Sequence, residues 1–126
     1  MANWTSDELN KIGNAEELLI ASMRNDGTLR KQVIIWVIRL GDDLYVRSVK
    51  GRGSWWFKGI QTRHAGRVEA GGVVKDVSFE EVNDLNDEID AVYRSKYNRY
   101  AASIINSIIS LDARSATLRL VPASNG

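Results

Sequence analysis

The chain has 126 residues, of which 44% are hydrophobic and 26% charged, and its formal net charge is +1. This size and balance are typical of a soluble domain with one core, so we expect a single domain over residues 1–122 and a disordered tail over residues 123–126. The absence of cysteine excludes disulfide frameworks, thiolate nucleophiles and zinc–thiolate sites. A charge near zero gives no global argument for nucleic acid, and no apolar run approaches bilayer length, so we expect a cytoplasmic protein with neither nucleic acid nor membrane as a partner.

A short helix and a long strand are the first clear elements. Thr5 followed by Glu8 matches a capping box and predicts a helix start. Residues 17–23 predict a first strand. Residues 33–40 are apolar at nearly every position, which predicts a strand covered on both faces. Residues 44–50 then alternate in polarity, as a strand does when it leaves a core.

The second half of the chain predicts one more short helix, a hairpin and a helical pair. Ser54 is placed to cap a helix over residues 55–60, and Gly71-Gly72 predicts a tight hairpin turn. Two helical stripes follow, with a break at Asn98-Arg99, and residues 117–121 predict a final strand. These elements predict an α+β, mainly β fold with six strands, a short N-terminal helix and a helical pair before the last strand.

Hydrolytic and metal chemistry find little support in the residue pattern. His64 is the single histidine, and no nucleophile-elbow motif accompanies it, so a loop histidine is favoured over a catalytic one. The acidic residues lack metal-ligand spacing, and we predict no metal site.

The loop after residues 44–50 carries positive charge beside glycine. Antiparallel pairing about the Gly41-Asp42-Asp43 turn places Lys31 near Lys50 and Arg52, at one end of the sheet. Gly51 and a helix beginning near Ser54 complete the ingredients of a phosphate site. The alternative is a solvated hairpin edge, because lysine and arginine commonly protect exposed strands.

Aromatic side chains accompany this basic loop. Trp55 and Trp56 follow it directly, Trp36 lies in the long strand, and Tyr97 and Tyr100 lie along one helix. Aromatic residues beside a phosphate loop suit a flat ring system. The alternative is that at least one of the two loop tryptophans belongs to the core.

Several motifs in this order resemble a known group of proteins. They are Arg30-Lys31, the apolar strand, Gly41 to Val46, Ser48 to Gly51, Trp55-Trp56, Gly66-Arg67-Val68 and the series Tyr93, Tyr97 and Tyr100. The chain resembles the split β-barrel oxidoreductases that bind FMN or the deazaflavin F420, the pyridoxamine-phosphate-oxidase-like and nitroreductase group. Within it, the chain most resembles the bacterial DUF2255 family.

The resemblance implies a six-stranded split barrel that forms a homodimer, and a flavin-type oxidoreductase acting on a small, largely apolar metabolite. The implied cofactor, FMN or F420, supplies the hydride chemistry. The residues expected to bind it are Lys31, Arg47, Ser48, Lys50, Gly51, Arg52, Trp55 and Trp56. Trp36 and Tyr100 are expected to line the substrate pocket. His64, Tyr97 and Tyr100 are the candidate proton donors.

Two other functions are compatible with the sequence. One is a cofactor-free isomerase, cyclase or lyase that uses the aromatic barrel pocket. The other is a non-enzymatic dimer that binds a small ligand.

Overall fold

The computed structural model describes residues 3–123, which contain seven β-strands and five α-helices. The strands are β1 (Leu18–Ser22), β2 (Val33–Ile35), β3 (Ile38–Leu40), β4 (Asp43–Arg47), β5 (Ala65–Ala70), β6 (Val73–Glu81) and β7 (Thr117–Pro122). The helices are α1 (Ser6–Gly13), α2 (Trp55–Arg63), α3 (Asn86–Lys96), α4 (Ala102–Ile108) and α5 (Leu111–Arg114). A 3₁₀ turn, Gly51–Gly53, precedes α2.

The strands form one antiparallel sheet in the order β2-β1-β5-β6-β7-β4-β3. Its two edge strands, β2 and β3, are separated in the chain by Trp36 and Val37 alone. Three peptide units extend over about 10 Å at most, so the sheet has to curl until its edges meet. The predicted α+β, mainly β split barrel is confirmed.

The sheet has seven strands instead of the predicted six because the long strand 33–40 is divided at Trp36 and Val37. The Val37 carbonyl accepts hydrogen bonds from Lys96 Nζ at 2.6 Å and from the Tyr97 hydroxyl at 3.0 Å. The Val37 amide donates to the same hydroxyl at 3.3 Å. Side chains at the end of α3 thus satisfy backbone groups that a continuous strand would pair with a neighbour. β2 leaves β4 at this point and pairs with β1.

β4 contributes to a separate hydrophobic core on each of its faces. Leu44 and Val46 belong to the core inside the curled sheet, which α1 and α2 also cover. Tyr45 lies on the opposite face and packs with Ile38 against residues of α3 and α4. The alternation predicted for residues 44–50 is therefore confirmed for this strand, and the helical pair covers the outer face of its neighbour β3.

Two predicted helix starts are present with their caps. Thr5 and Glu8 form both hydrogen bonds of the capping box at α1. Ser54 is the N-cap of α2, and its hydroxyl accepts a hydrogen bond from the Phe57 amide. Near the start of the described chain, Trp4 Nε1 donates to the Leu120 carbonyl at 2.9 Å and ties this segment to β7.

The predicted helical pair corresponds to α3 and α4, and the predicted break at Asn98 and Arg99 lies between them. The described chain ends at Ala123, whose amide donates to the Asp76 carbonyl at 2.9 Å. The rest of the predicted tail, residues 124–126, lies outside the described residues. Between residues 3 and 123, no helix is both long and apolar enough to cross a bilayer.

Candidate functional site

The divergence of β2 from β4 opens a cavity of about 480 Å³, which we call the main cleft. It is lined by β2 (Val33–Ile35), residues 48–50 and residues 53–56. A volume of this order is typical of small-molecule sites. The cleft therefore lies where the sequence predicts a ligand, between the long strand and the basic loop.

One side of the main cleft is polar and carries a positive charge. Ser48 Oγ and Ser54 Oγ lie 2.8 Å apart, and Lys50 is exposed at the rim without an ion pair to any described residue. Ser54 caps α2, so the first amides of that helix, at Trp55 and Trp56, lie beside the cleft. Helix N-terminal amides and a free ammonium both favour an anion such as phosphate.

The other side of the main cleft is apolar and aromatic. Trp55 is 54% exposed and Ile34 is 61% exposed, which is unusual for such large apolar side chains. Trp56 is buried and packs edge-on against Phe57, with ring centroids 6.1 Å apart, so it is the core tryptophan that the alternative interpretation predicts. An exposed indole beside an anion site offers a surface on which a flat ring can stack.

Arg47, predicted to bind the cofactor, lies instead in the protein interior. Its Nε donates to Thr117, and its two terminal nitrogens donate to Asp90, to the Ile108 carbonyl and to two oxygens of Asn86. These five bonds use all five guanidinium N–H groups, so none is left for a ligand. The side chain fastens α3 and α4 to the sheet.

Arg52 and Gly51 also face away from the main cleft. Arg52 donates to Glu81 at 2.7 Å and to the Ser115 carbonyl at 2.9 Å. Gly51 has a φ of +77°, and an added Cβ would lie 3.1 Å from the Cβ of Asp112. This glycine therefore permits the 3₁₀ turn to pack on α5, whereas Gly53 is the glycine that lines the cleft.

Lys31 lies next to the cleft without lining it. It is exposed and precedes β2 by two residues, and it has no ion pair within residues 3–123. The sequence predicts that the segment around Lys31 pairs with the segment around Lys50. This pairing does not form, because β4 pairs with β3, whereas β2 pairs with β1. Val33, two residues further along the chain, and Lys50 both line the main cleft.

Trp36, Tyr97 and Tyr100 form an aromatic cluster at the strand division. Trp36 stacks on Tyr97 with ring centroids 3.8 Å apart and an interplanar angle of 3°. Tyr97 is buried, burial raises the pKa of its hydroxyl, and that hydroxyl bonds only to backbone groups of Glu16 and Val37. Tyr100 donates to the Glu16 carboxylate at 2.7 Å. Neither tyrosine lines the main cleft.

His64 lies at the far end of α2 from the main cleft. It caps the C-terminus of this nine-residue helix, which is about 13 Å long, with a left-handed φ of +57°. Its Nε2 lies 3.5 Å from a Glu81 carboxylate oxygen. The three candidate proton donors are therefore not gathered around one cavity. Among the described residues, no group of three or more acidic or histidine side chains is placed to hold a metal ion.

A second, smaller cavity of about 190 Å³ adjoins the first, and we call it the side chamber. It shares residues 34, 35 and 49 with the main cleft and is otherwise lined by Trp36, Arg47, Ile104, Ser107 and Ile108. The sequence does not predict the contribution of α4 to a cavity. Its one available signal was the apolar stripe that includes Ile104 and Ile108, which a buried helix face explains equally well.

The sequence matches the DUF2255 family, described as an uncharacterized protein conserved in bacteria, over residues 8–120. No curated protein matches the chain significantly.

Solved structures with the same fold are more distant in sequence. An F420 reductase shares 13% identity with a TM-score of 0.61, covering 92% of this chain and 93% of the other. The heme storage protein HutZ from Vibrio cholerae shares 12% with a TM-score of 0.64, covering 99% and 93%. An FAD-binding protein from Mesorhizobium loti shares 18% with a TM-score of 0.53, covering 97% and 92%. At these identities the similarity establishes the fold.

Proposed function

The chain belongs to the DUF2255 family, and on that premise we propose that it is a small flavin-type oxidoreductase that binds FMN or F420 in the main cleft. The observation that carries the proposal is the cleft itself, where an unpaired lysine, two hydroxyl groups and a helix N-terminus face an exposed tryptophan. An anionic group and a flat ring on one ligand match these two sides. The F420 reductase and the FAD-binding protein of the same fold support the choice of ligand class.

The proposal gives each lining residue a role. Lys50 pairs with the phosphate, and Gly53 leaves room for it. One proton of the Ser48–Ser54 hydroxyl pair bridges the two oxygens, and the other proton and the first amides of α2 donate to the phosphate oxygens. Trp55 and the apolar side chains of β2 contact the ring and exclude water. When bound, such a group supplies hydride transfer. Lys31 adds positive charge near the entrance.

The proposal requires no acid or base from the protein in the main cleft. Its described lining contains no histidine, carboxylate or tyrosine. The substrate is a small, largely apolar molecule, in keeping with the apolar residues 33–35. A homodimer is part of the proposal, because β2 is a sheet edge and carries the exposed Ile34.

The test is a titration of the protein with FMN and with F420, followed by fluorescence. Lys50→Ala should weaken binding about 10-fold or more, since hydrogen bonds to charged groups contribute about 1.5–3 kcal/mol. Arg52→Ala, which removes a nearby but paired arginine, and Arg94→Ala, which removes an exposed one on α3, should change it less than about 2-fold. Binding that is undetectable, or that depends on Arg52 and not on Lys50, would refute the proposed site.

A non-enzymatic ligand-binding protein is the second candidate. The observation that favours it is that His64, Tyr97 and Tyr100 bond to other protein groups and do not line the main cleft. The described lining of the cleft therefore has groups that can bind a ligand but none of these three proton donors. The same placement gives no support to a cofactor-free isomerase, cyclase or lyase. Cofactor binding without any turnover of reduced cofactor by an added electron acceptor would favour this second function.

A further inference from the structure

We infer that the side chamber binds a small neutral molecule with one aromatic ring and one hydrogen-bond donor, of the phenol class. Binding there requires only the described residues, whereas its role as the substrate rests on the proposed function. Three features of the chamber point to this class: its charge, its size and the free lone pairs of Ser107 Oγ.

The side chamber offers a ligand no free charge. Arg47 is the one charged residue among those that line it, and all five of its N–H groups are bonded within the protein. Its charge is compensated by Asp90, which also faces Arg114 at 3.5 Å. A carboxylate ligand would lose its water shell without gaining a free charged donor, and an ammonium would be repelled by Arg47 without gaining an acceptor of opposite charge. A neutral ligand avoids both costs.

The size of the chamber fits a single ring. Its volume is about 190 Å³, and an apolar protein cavity of about 150 Å³ is large enough to bind benzene. Ile35, Trp36 and Ile108 supply an apolar wall on which such a ring can pack. The shared residues Ile34 and Val49 place this ring next to the main cleft, where the proposed cofactor would lie.

Ser107 selects for a donor on the ligand. Its hydroxyl proton is used by the Ile104 carbonyl, at an Oγ to oxygen distance of 2.6 Å. The oxygen of Ser107 therefore has only lone pairs left, and these accept a hydrogen bond. A phenolic or anilino N–H or O–H satisfies them, whereas the matching ether does not.

The test uses amide and indole NMR signals of the cofactor-free protein, with phenol, anisole, benzoate and benzylammonium as probes. Phenol should shift the signals of Trp36, Ile104 and Ser107 in a saturable manner, and the two ions should bind at least about 10-fold more weakly. Ser107→Ala should weaken phenol binding about 3- to 10-fold, the effect of one neutral hydrogen bond, and leave anisole unchanged. Ile104→Trp should fill the chamber and abolish binding, whereas Leu111→Trp, at an exposed position of α5, should not.

Benzoate binding as tightly as phenol, or phenol shifts that leave these three residues unmoved, would overturn the inference. Ser107→Ala without effect on phenol would also overturn it. The result is independent of the Lys50 titration, because the probes carry no phosphate and report from α4. A negative result in one titration therefore leaves the evidence for the other cavity unchanged.

Discussion

Arg47 is the residue that joins the two halves of the molecule. It projects from β4 and bonds to α3, to the end of α4 and to β7 through all of its N–H groups. Its side chain is fully buried, and the partner Asp90 is 10% exposed. A buried pair of this kind is costly to break, because the Asp90 carboxylate is then left with only its longer ion pair to Arg114, at 3.5 Å.

Arg47→Met should therefore lower the free energy of unfolding by about 3–5 kcal/mol, measured by urea denaturation. The double variant Arg47→Met/Asp90→Leu should be less destabilised than the single one, since it also removes the buried carboxylate that has lost Arg47, while Arg114 keeps its ion pair with Asp87 at 2.6 Å. Arg94→Ala on the same helix serves as the control and should change stability by less than about 0.5 kcal/mol. Equal losses in the single and double variants would contradict this account of the pair.

The sequence could not have revealed this role. The alternation of residues 44–50 correctly places Arg47 and Val46 on opposite faces of the strand. An arginine near a basic loop, however, resembles a ligand-binding residue. Its partners Asp90 and Thr117 lie 43 and 70 residues away. Nothing in the local pattern marks Asp90, which lies on a helix with other acids that face solvent. Ser48, Lys50 and Trp55 were predictable because they are neighbours along the chain.

At the scale of elements, the strand division depends on α3. Lys96 Nζ donates to the carbonyls of Ala15 and Val37, each at 2.6 Å, and holds the end of the helix against the start of β3. The sequence predicts one continuous strand here because residues 33–40 are apolar at nearly every position and rich in β-branched types. The preference of these residues for a continuous strand is overridden by side chains about 60 residues further along the chain, at the end of α3. The sequence around residues 33–40 gives no sign of these contacts.

Burial lowers the pKa of Lys96 from 10.5 to about 8. Above pH 8 the folded protein binds fewer protons at this site than the unfolded chain does, so the contribution of Lys96 to the free energy of unfolding should rise from about pH 8 to pH 10.5. Urea denaturation across this range should show that Lys96→Met removes the rise. Lys58→Met, at an exposed position of α2, is the control. A pH dependence identical in wild type and Lys96→Met would exclude this explanation.

The 3₁₀ turn offers a matched pair of glycines. Gly51 has a left-handed φ and lies against Asp112, so Gly51→Ala should destabilise the protein by about 1–2 kcal/mol. Gly53 has open space around it, and Gly53→Ala should change stability by less than about 0.5 kcal/mol while narrowing the cleft entrance. Thermal denaturation together with FMN titration separates the two effects. Reduced binding in Gly51→Ala with unchanged stability would indicate that Gly51, not Gly53, contacts the ligand.

At the scale of the whole molecule, exposed apolar side chains concentrate around the two cavities. Ile34, Val49, Trp55 and Ile104 are all at least 45% exposed and all line the main cleft or the side chamber. Ile34 is also on the free edge strand β2. An apolar patch that includes a sheet edge is typical of an interface.

In the proposed homodimer, Ile34→Lys should weaken dimer formation at least about 10-fold, measured by sedimentation equilibrium, because it places a charge in the interface. Val74→Lys is a matched control, since Val74 is 56% exposed on β6 and lines neither cavity. Wild-type protein that is monomeric at every concentration, or equal effects of the two lysines, would count against an interface at β2.

The position of β7 has a consequence for synthesis of the chain. This strand is formed by residues 117–122, yet it lies between β6 and β4 within the sheet. While the ribosome is still adding the preceding residues, β4 has only the short hairpin partner β3, and Leu44 and Val46 have no completed core to enter. The backbone N–H and C=O groups along the edges of β4 and β6 therefore stay unpaired until β7 emerges, so nascent chains stalled before Thr117 should need chaperone protection against aggregation.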